Sequence, residues 1–361
     1  MRSASRLSPW RLVAIALIWI AALTFASRRE WQLWRPSLEA APAPVETSAL
    51  GVWFTDPASA QARSYRGGPA AELTAALEQA RLSIDVAVYS LDLWPVRNAL
   101  LDAHRRGLRV RLVVEADNAD TPEIQALRDA GIPVHVDTGD GLMHHKFLIL
   151  DGRDVWTGSM NLTAESAYRD HNNLLRLQTS EAVADFQQEF DEMFSRGLFG
   201  AASPADTPFP AFAAADGRAE VYFSPDDGVL AHLLETVNAA QQEICFLAFS
   251  FTSDDLGGLL LSKAQEGLTV RGVFDEGQAH SNRGSEYPRL RAAGLDVRLD
   301  GSSGLLHHKV IVLDGQTVVT GSYNFSRSAE ERNDEALLIL HLPEIAAAYR
   351  EECVRLWEDG R

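Results

Sequence analysis

Lysine is almost missing from this chain: of 33 basic residues only Lys146, Lys263 and Lys309 are lysines, and the rest are arginine. Two of these three occupy matching places in the two halves, which points to a need for a compact ammonium rather than a planar fork. Positive charge is short overall. The net charge of −17 repels polyanions, so sequence-independent binding to a nucleic-acid backbone would require local basic clusters. Cysteine is limited to Cys245 and Cys353, whose spacing is neither CxxC nor Cys/His, and this gives no indication of a structural zinc site. Both are read as small buried residues, Cys245 lying in an apolar strand-like run, with pairing outside the cytoplasm as the alternative.

The apolar segment near the N-terminus is also short. Sixteen uncharged residues, Leu12 to Ser27, lie between Arg11 and Arg28, fewer than the ~20 of a comfortable transmembrane helix. With Arg2, Arg6 and Arg11 before it, residues 1–30 are read as a membrane anchor or signal segment. Residues 31–50, which include PSLEAAPAPVETSAL, are read as a linker. The expected location is membrane-anchored or exported, with the catalytic part extracytoplasmic.

What is present is a duplication. The 361 residues are about twice a usual domain of ~100 to 200 residues, and the second half restates the first element by element. GVWFTDP at 51–57 answers VYFSP at 221–225, IDVAVYSLD answers ICFLAFSFT, and RVRLVVEADN answers TVRGVFDEGQ. The alternation of short apolar runs with helical patterns predicts an α/β fold of two similar halves, each a mixed, largely parallel sheet flanked by helices. The boundaries read as 51–197, a Pro- and Ala-rich linker at 198–218, and 219–361, the halves packing about a pseudo-two-fold axis. Phe186, Phe190 and Phe194 answer Tyr349, Cys353 and Trp357 at the spacing of one helix face, and are read as core.

Within this frame one constellation occurs twice. HHKFLILDGRDVWTGSMN supplies His144, Lys146, Asp151, Ser159 and Asn161, and HHKVIVLDGQTVVTGSYN supplies His307, Lys309, Asp314, Ser322 and Asn324. Residues two apart on a strand share a face, so each histidine projects with its lysine, whereas His145 and His308 point the other way as packing or supporting residues. Two histidines, two lysines and two asparagines without a metal-ligand set suit phosphoryl transfer. Ammonium and amide groups hold the phosphate oxygens, while one imidazole attacks phosphorus and the other serves the leaving oxygen.

The doubled HxKxxxxDxxxxxxGSxN frame resembles the HKD signature of the phospholipase D superfamily over roughly residues 51–361. The resemblance implies two α/β halves around one site, a phosphohistidine intermediate, no metal cofactor, and structural roles for Asp151 and Asp314. By analogy His144 is the nucleophile and His307 the general acid and then base. Glu335 stands 28 residues after His307 where Asn172 stands 28 after His144. If each packs on its own histidine, Glu335 raises the pKa of His307, as a proton donor needs, and Asn172 leaves His144 unaided.

The motif does not name the ester. Acidity together with an anchor or export segment favours hydrolysis of a phospholipid headgroup ester at a membrane surface, by a chain that acts as a monomer because it carries both motifs. An exported endonuclease and a phosphatidyltransferase of the cardiolipin synthase type are the alternatives. Nucleic acid would need a basic groove, for which Arg105, Arg106, Arg109, Arg111, Arg283, Arg289 and Arg291 are the candidates.

Overall fold

The structure is a computed structural model that describes residues 40–47 and 49–361. The expected anchor at 1–30, and the linker as far as residue 39, lie outside the described residues. Among the described residues no helix is long and apolar enough to cross a membrane.

The apolar runs form sixteen strands. In the first half these are β1 (Val45–Glu46), β2 (Leu50–Phe54), β3 (Ser83–Val88), β4 (Arg109–Val114), β5 (Val134–Val136), β6 (Lys146–Leu150), β7 (Asp154–Gly158) and β8 (Asn173–Leu177). The second half contributes β9 (Ala211–Ala214), β10 (Gly217–Ser224), β11 (Glu243–Ala248), β12 (Thr269–Phe274), β13 (Asp296–Leu299), β14 (Lys309–Leu313), β15 (Thr317–Gly321) and β16 (Glu335–His341). They make two eight-stranded sheets, β1-β2-β8-β7-β6-β3-β4-β5 and β13-β12-β11-β14-β15-β16-β10-β9. Read from opposite ends, the two orders are the same, so the duplication extends to topology.

Two expectations are corrected here. The sheets are mixed as predicted, but only the β3–β4–β5 and β11–β12–β13 pairings are parallel, and the others are antiparallel. For β6–β7 and β14–β15 the cause is local: the strand that opens on each motif lysine returns through a tight turn at Asp151 or Asp314, both in the left-handed region, and so short a return makes an antiparallel pair. Residues 198–218 are also more than a linker. They carry a short helical turn at Gly200–Ala202 and the edge strand β9, which pairs with β10 as β1 pairs with β2.

A central core draws on the inner faces of both sheets and on the helices Ser180–Asp191 and Pro343–Asp359. Phe186, Phe190, Tyr349 and Cys353 are fully buried there, as their helical spacing predicts. Each sheet packs its outer face on its own helices. The two cysteines are bonded: Cys245 on β11 and Cys353 on the C-terminal helix form a disulfide. At the corresponding places in the first half stand Asp85 and Phe190, joined instead by Arg111. Its guanidinium is 2.7 Å from the Asp85 carboxylate and lies 4.8 Å over the Phe190 ring.

The halves meet through the segments that precede the motif lysines. Met143 bridges to Asp334, and His171 bridges to Leu306. Moving both residues of the first bridge by 163 positions between the halves produces the second, so the contact has the exchange symmetry of a two-fold axis.

Candidate active site

Each motif lysine opens a strand, and its histidine lies two residues earlier in an extended segment held from several sides. The His144 amide donates to the Asp334 carbonyl at 3.0 Å, and the His307 amide donates to the His171 carbonyl at 3.0 Å. Glu115 accepts the Met143 amide at 2.6 Å, and Asp275 accepts the Leu306 amide at 3.1 Å. These two carboxylates follow β4 and β12 at matched positions, a repeat that can be seen in VVEADN and VFDEGQ but was not singled out as a support for the site.

Because the backbone bridges run between halves, the side chains behind the histidines cross over too. His144 Nδ1 is 2.7 Å from Glu335 Oε2, and His307 Nδ1 is 2.9 Å from Asn172 Oδ1. This corrects the expectation that Glu335 backs His307 and Asn172 backs His144: each residue serves the histidine of the other half. Asn172 is itself fixed. Its Oδ1 accepts the Ser159 hydroxyl at 2.9 Å, and its Nδ2 donates to the Ser166 carbonyl at 3.0 Å. With the carboxamide oriented this way, Oδ1 can only accept, so Nδ1 of His307 carries the proton.

Lys146 and Lys309 are buried beside the histidines. Their ammonium groups donate to the carbonyls of His144 and His307 at 2.6 and 2.8 Å and lie over the rings of Tyr89 and Phe249. Those rings also meet His144 and His307 edge-on, at centroid distances of 5.0 and 4.6 Å. Burial, then the two lysine charges, holds both histidines well below the usual imidazole range. Burial lowers Lys146 to about 7 and raises Glu335 to about 7. An arriving phosphodiester anion reverses the dominant field, since it favours protonated lysine and imidazole together.

The remaining motif residues divide by position. Ser159 and Ser322 are buried, and their hydroxyls accept the amides of Asn173 and Ala336, so they brace the strands that carry Asn172 and Glu335. Asn161 and Asn324 lie just past β7 and β15, and the side-chain oxygen of each is buried without a hydrogen-bond partner among the described residues. Asp151 and Asp314 sit at the far ends of β6 and β14. Each accepts three consecutive backbone amides, from Arg81 to Ser83 and from Gln241 to Glu243 respectively.

His145 and His308 face the central core, as strand alternation predicts. There they meet carboxylates not singled out from the sequence: His145 Nε2 is 2.8 Å from Glu189, and His308 Nε2 is 3.4 Å from Glu352, which also binds Arg355. Glu189 and Glu352 are 163 positions apart on matched helices, which is the signal that would have found them. Five of the seven candidates for a basic groove are engaged with neighbouring groups. Arg109 and Arg111 bind Asp85, Arg105 binds Asp102, Arg106 caps backbone carbonyls, and Arg289 binds Glu286.

Comparison with known proteins agrees with this architecture. A family model described as "Cardiolipin synthase, PLD-like domain" matches residues 73–194 and 233–357. A mitochondrial cardiolipin hydrolase of Chlamydomonas reinhardtii is 27% identical over 206 residues, covering 50% of this chain and 91% of that protein. That of Xenopus laevis is 38% identical over 133 residues, covering 37% of this chain and 63% of that protein. The solved phosphatidylserine synthase of Haemophilus influenzae, 10% identical, shares the fold over 93% of this chain and 91% of its own, with a TM-score of 0.62.

Proposed function

This chain belongs to the phospholipase D-like family, whose members act on phosphodiester bonds, and we propose that it hydrolyses a phospholipid headgroup ester through a phosphohistidine on His144. The observation that carries the division of labour is the unlike pair behind the histidines. Glu335 accepts the Nδ1 proton of His144, which leaves the Nε2 lone pair to attack phosphorus and stabilises the positive ring that forms with the N–P bond. Asn172 fixes the same tautomer on His307 but, being neutral, does not raise its pKa as was expected of a proton donor, so the bound phosphodiester anion has to supply the charge that protonates His307.

In the first step the His144 Nε2–P bond forms, the bond from phosphorus to the headgroup oxygen breaks, and His307 protonates that oxygen. In the second, His307 takes a proton from water, the hydroxide oxygen bonds to phosphorus, and the N–P bond breaks. Lys146 and Lys309, with the amides of Asn161 and Asn324, hold the non-bridging oxygens. No step uses a metal ion.

The surroundings support a lipid rather than a nucleic-acid ester. The side-chain carboxyls of Glu115, Asp170 and Asp275 are buried and accept backbone amides of the segments that carry the two histidines. Such a setting tolerates one phosphodiester and disfavours the adjacent phosphates of a strand. The test is an assay of the full chain, with chelator present, against phosphatidyl lipids and cardiolipin in mixed micelles and against single- and double-stranded DNA. Release of headgroup alcohol with DNA left intact is expected. Cleavage of DNA alone would replace this reading with the nuclease one, and lipid product formed only with added alcohol would make the enzyme a transferase.

A further inference from the structure

The two halves differ most in length just after β2 and β10. Phe54 and Phe223 hold equivalent places, since they pair with Asn173 and Ala336, and are 169 positions apart. Ile84 and Ile244 on the next strands are 160 apart. The first half therefore carries nine additional residues in this connection, around 56–67, and the duplicated fold does not need them.

This insertion forms a short helix, Ala60–Arg63, and then an exposed turn in which Tyr65 adopts φ +56°. A bulky residue held in the left-handed region is strained, and such strain persists where the surroundings impose it. Here the side chain is held: the Arg169 guanidinium donates to the Tyr65 hydroxyl and lies over the ring, and Tyr168 packs edge-on against the same ring. Tyr65 nevertheless remains 42% exposed.

The insertion is tied through Arg169 to the segments next to the catalytic histidines. Asp170, next to Arg169, accepts the Leu305 amide, and Leu305 lies two residues before His307 with 41% of its surface exposed. On the other side, the helix Ala164–Tyr168 begins three residues after Asn161, and its Ala164 amide is bound by Asp92. Two residues further on is Trp94, 58% exposed. Among the described residues five large apolar side chains are exposed, and three of them are linked to these segments: Tyr65 and Leu305 on connections and Trp94 at the first residue of the helix Trp94–Arg105. Leu82 precedes β3 at the opposite end of the sheet.

Arg63, Arg66 and Arg169 are exposed around Tyr65. Amphipathic aromatics beside arginines are the composition of a membrane interface, and the arginines favour anionic headgroups. We propose that this lip, Tyr65, Trp94 and Leu305 with Arg66 and Arg169, docks on an anionic lipid surface and brings the cleft to the headgroup plane. The proposal rests on the phospholipid reading and adds the surface by which the substrate is reached.

Local probes test it in the full chain, because the only two cysteines are joined and a new one can be labelled alone. Tyr65→Cys, Trp94→Cys and, as a reference, Leu82→Cys are each labelled with a polarity-sensitive fluorophore. They are mixed with phosphatidylcholine vesicles with or without phosphatidylglycerol, containing lipids brominated near the headgroup. Emission at 65 and 94 is expected to shift to the blue and fall by about half or more on anionic vesicles, with position 82 unchanged, as shallow insertion of an apolar lip requires. Vesicle-bound protein whose labels at 65 and 94 remain in water would overturn the proposal. So would a response at those positions to single-stranded DNA and none to vesicles. Insertion is read without turnover, so insertion without lipid hydrolysis would remove the phospholipid substrate and leave the docking surface standing.

Discussion

Glu335 and His144 belong to different halves of the molecule, yet their side chains meet at 2.7 Å, and Asn172 makes the reciprocal contact with His307 at 2.9 Å. Partners that hold a metal-bound histidine through its second ring nitrogen typically contribute 10- to 100-fold, and Glu335 holds His144 by the same geometry without a metal. Glu335→Gln is therefore expected to lower kcat by about 10- to 100-fold with KM little changed, because the carboxylate acts on the intermediate rather than on bound lipid. Equal loss in KM would assign Glu335 to substrate binding.

Asn172→Asp places a carboxylate against His307. An opposite charge at this distance favours imidazolium, so the pKa of His307 rises and the basic limb of the pH–rate profile moves up by about one unit or more. A basic limb that stays in place would mean that His307 is not the titrating acid.

His307→Ala removes the proton donor but not the nucleophile. Hydrolysis of an ordinary headgroup ester is expected to fall by about 10²- to 10⁴-fold, whereas an ester of 4-nitrophenol, whose leaving group needs no proton, still gives a burst. Acid-labile phosphate should then be recovered on His144, and its absence there would reverse the two roles.

Burial pushes Glu189 and Asp226 up to about 8 and Asp185 up to about 7, with neighbouring carboxylates adding to the effect. For acids raised on folding, the stabilising contribution is complete below their unfolded values and is lost as pH rises through the folded ones. The melting temperature is therefore expected to fall by several degrees between about pH 5 and pH 8, and Glu189→Gln should flatten that slope. Glu352 behaves oppositely. Although burial alone would raise it, its bonds to His308 and Arg355 hold it near 2, so its stabilisation is present above about pH 4.5 and lost below. A wild-type melting curve that rises towards pH 8 would refute the first assignment.

Replacing Cys245 and Cys353 by serine opens a link between β11 and the helix that carries Glu352. A loss of about 2–5 kcal/mol is expected from chemical unfolding. Activity at low temperature should persist, since neither sulfur touches the histidines.

Much of this arrangement was legible in the chain because strand and helix periods are local. The doubled motif, the faces of His145 and His308, and the buried stripe from Phe186 to Phe190 all follow from spacing alone. What spacing could not convey is which half supplies the residue behind each histidine. An alignment of the halves pairs Glu335 with Asn172 but leaves both cis and trans packing open, and the bridges Met143–Asp334 and Leu306–His171 that decide it span long separations. The same holds for Cys245 and Cys353, 108 residues apart, and for β9, whose AFAA carries too little pattern to be told from a linker.

The crossed contacts also bear on how such a molecule can have arisen. Two identical half-length chains, associated about a true axis, would be bound to put the same residue behind both imidazoles: asparagine twice if built from residues like those of the first half, glutamate twice if from the second. Covalent fusion lifts that obligation, because each half now mutates the partner's histidine environment and not its own. The unlike pair at Asn172 and Glu335 is thus closed to a homodimer of identical half-chains, and the two halves, expressed separately, would have to find each other before either histidine had its proper neighbour.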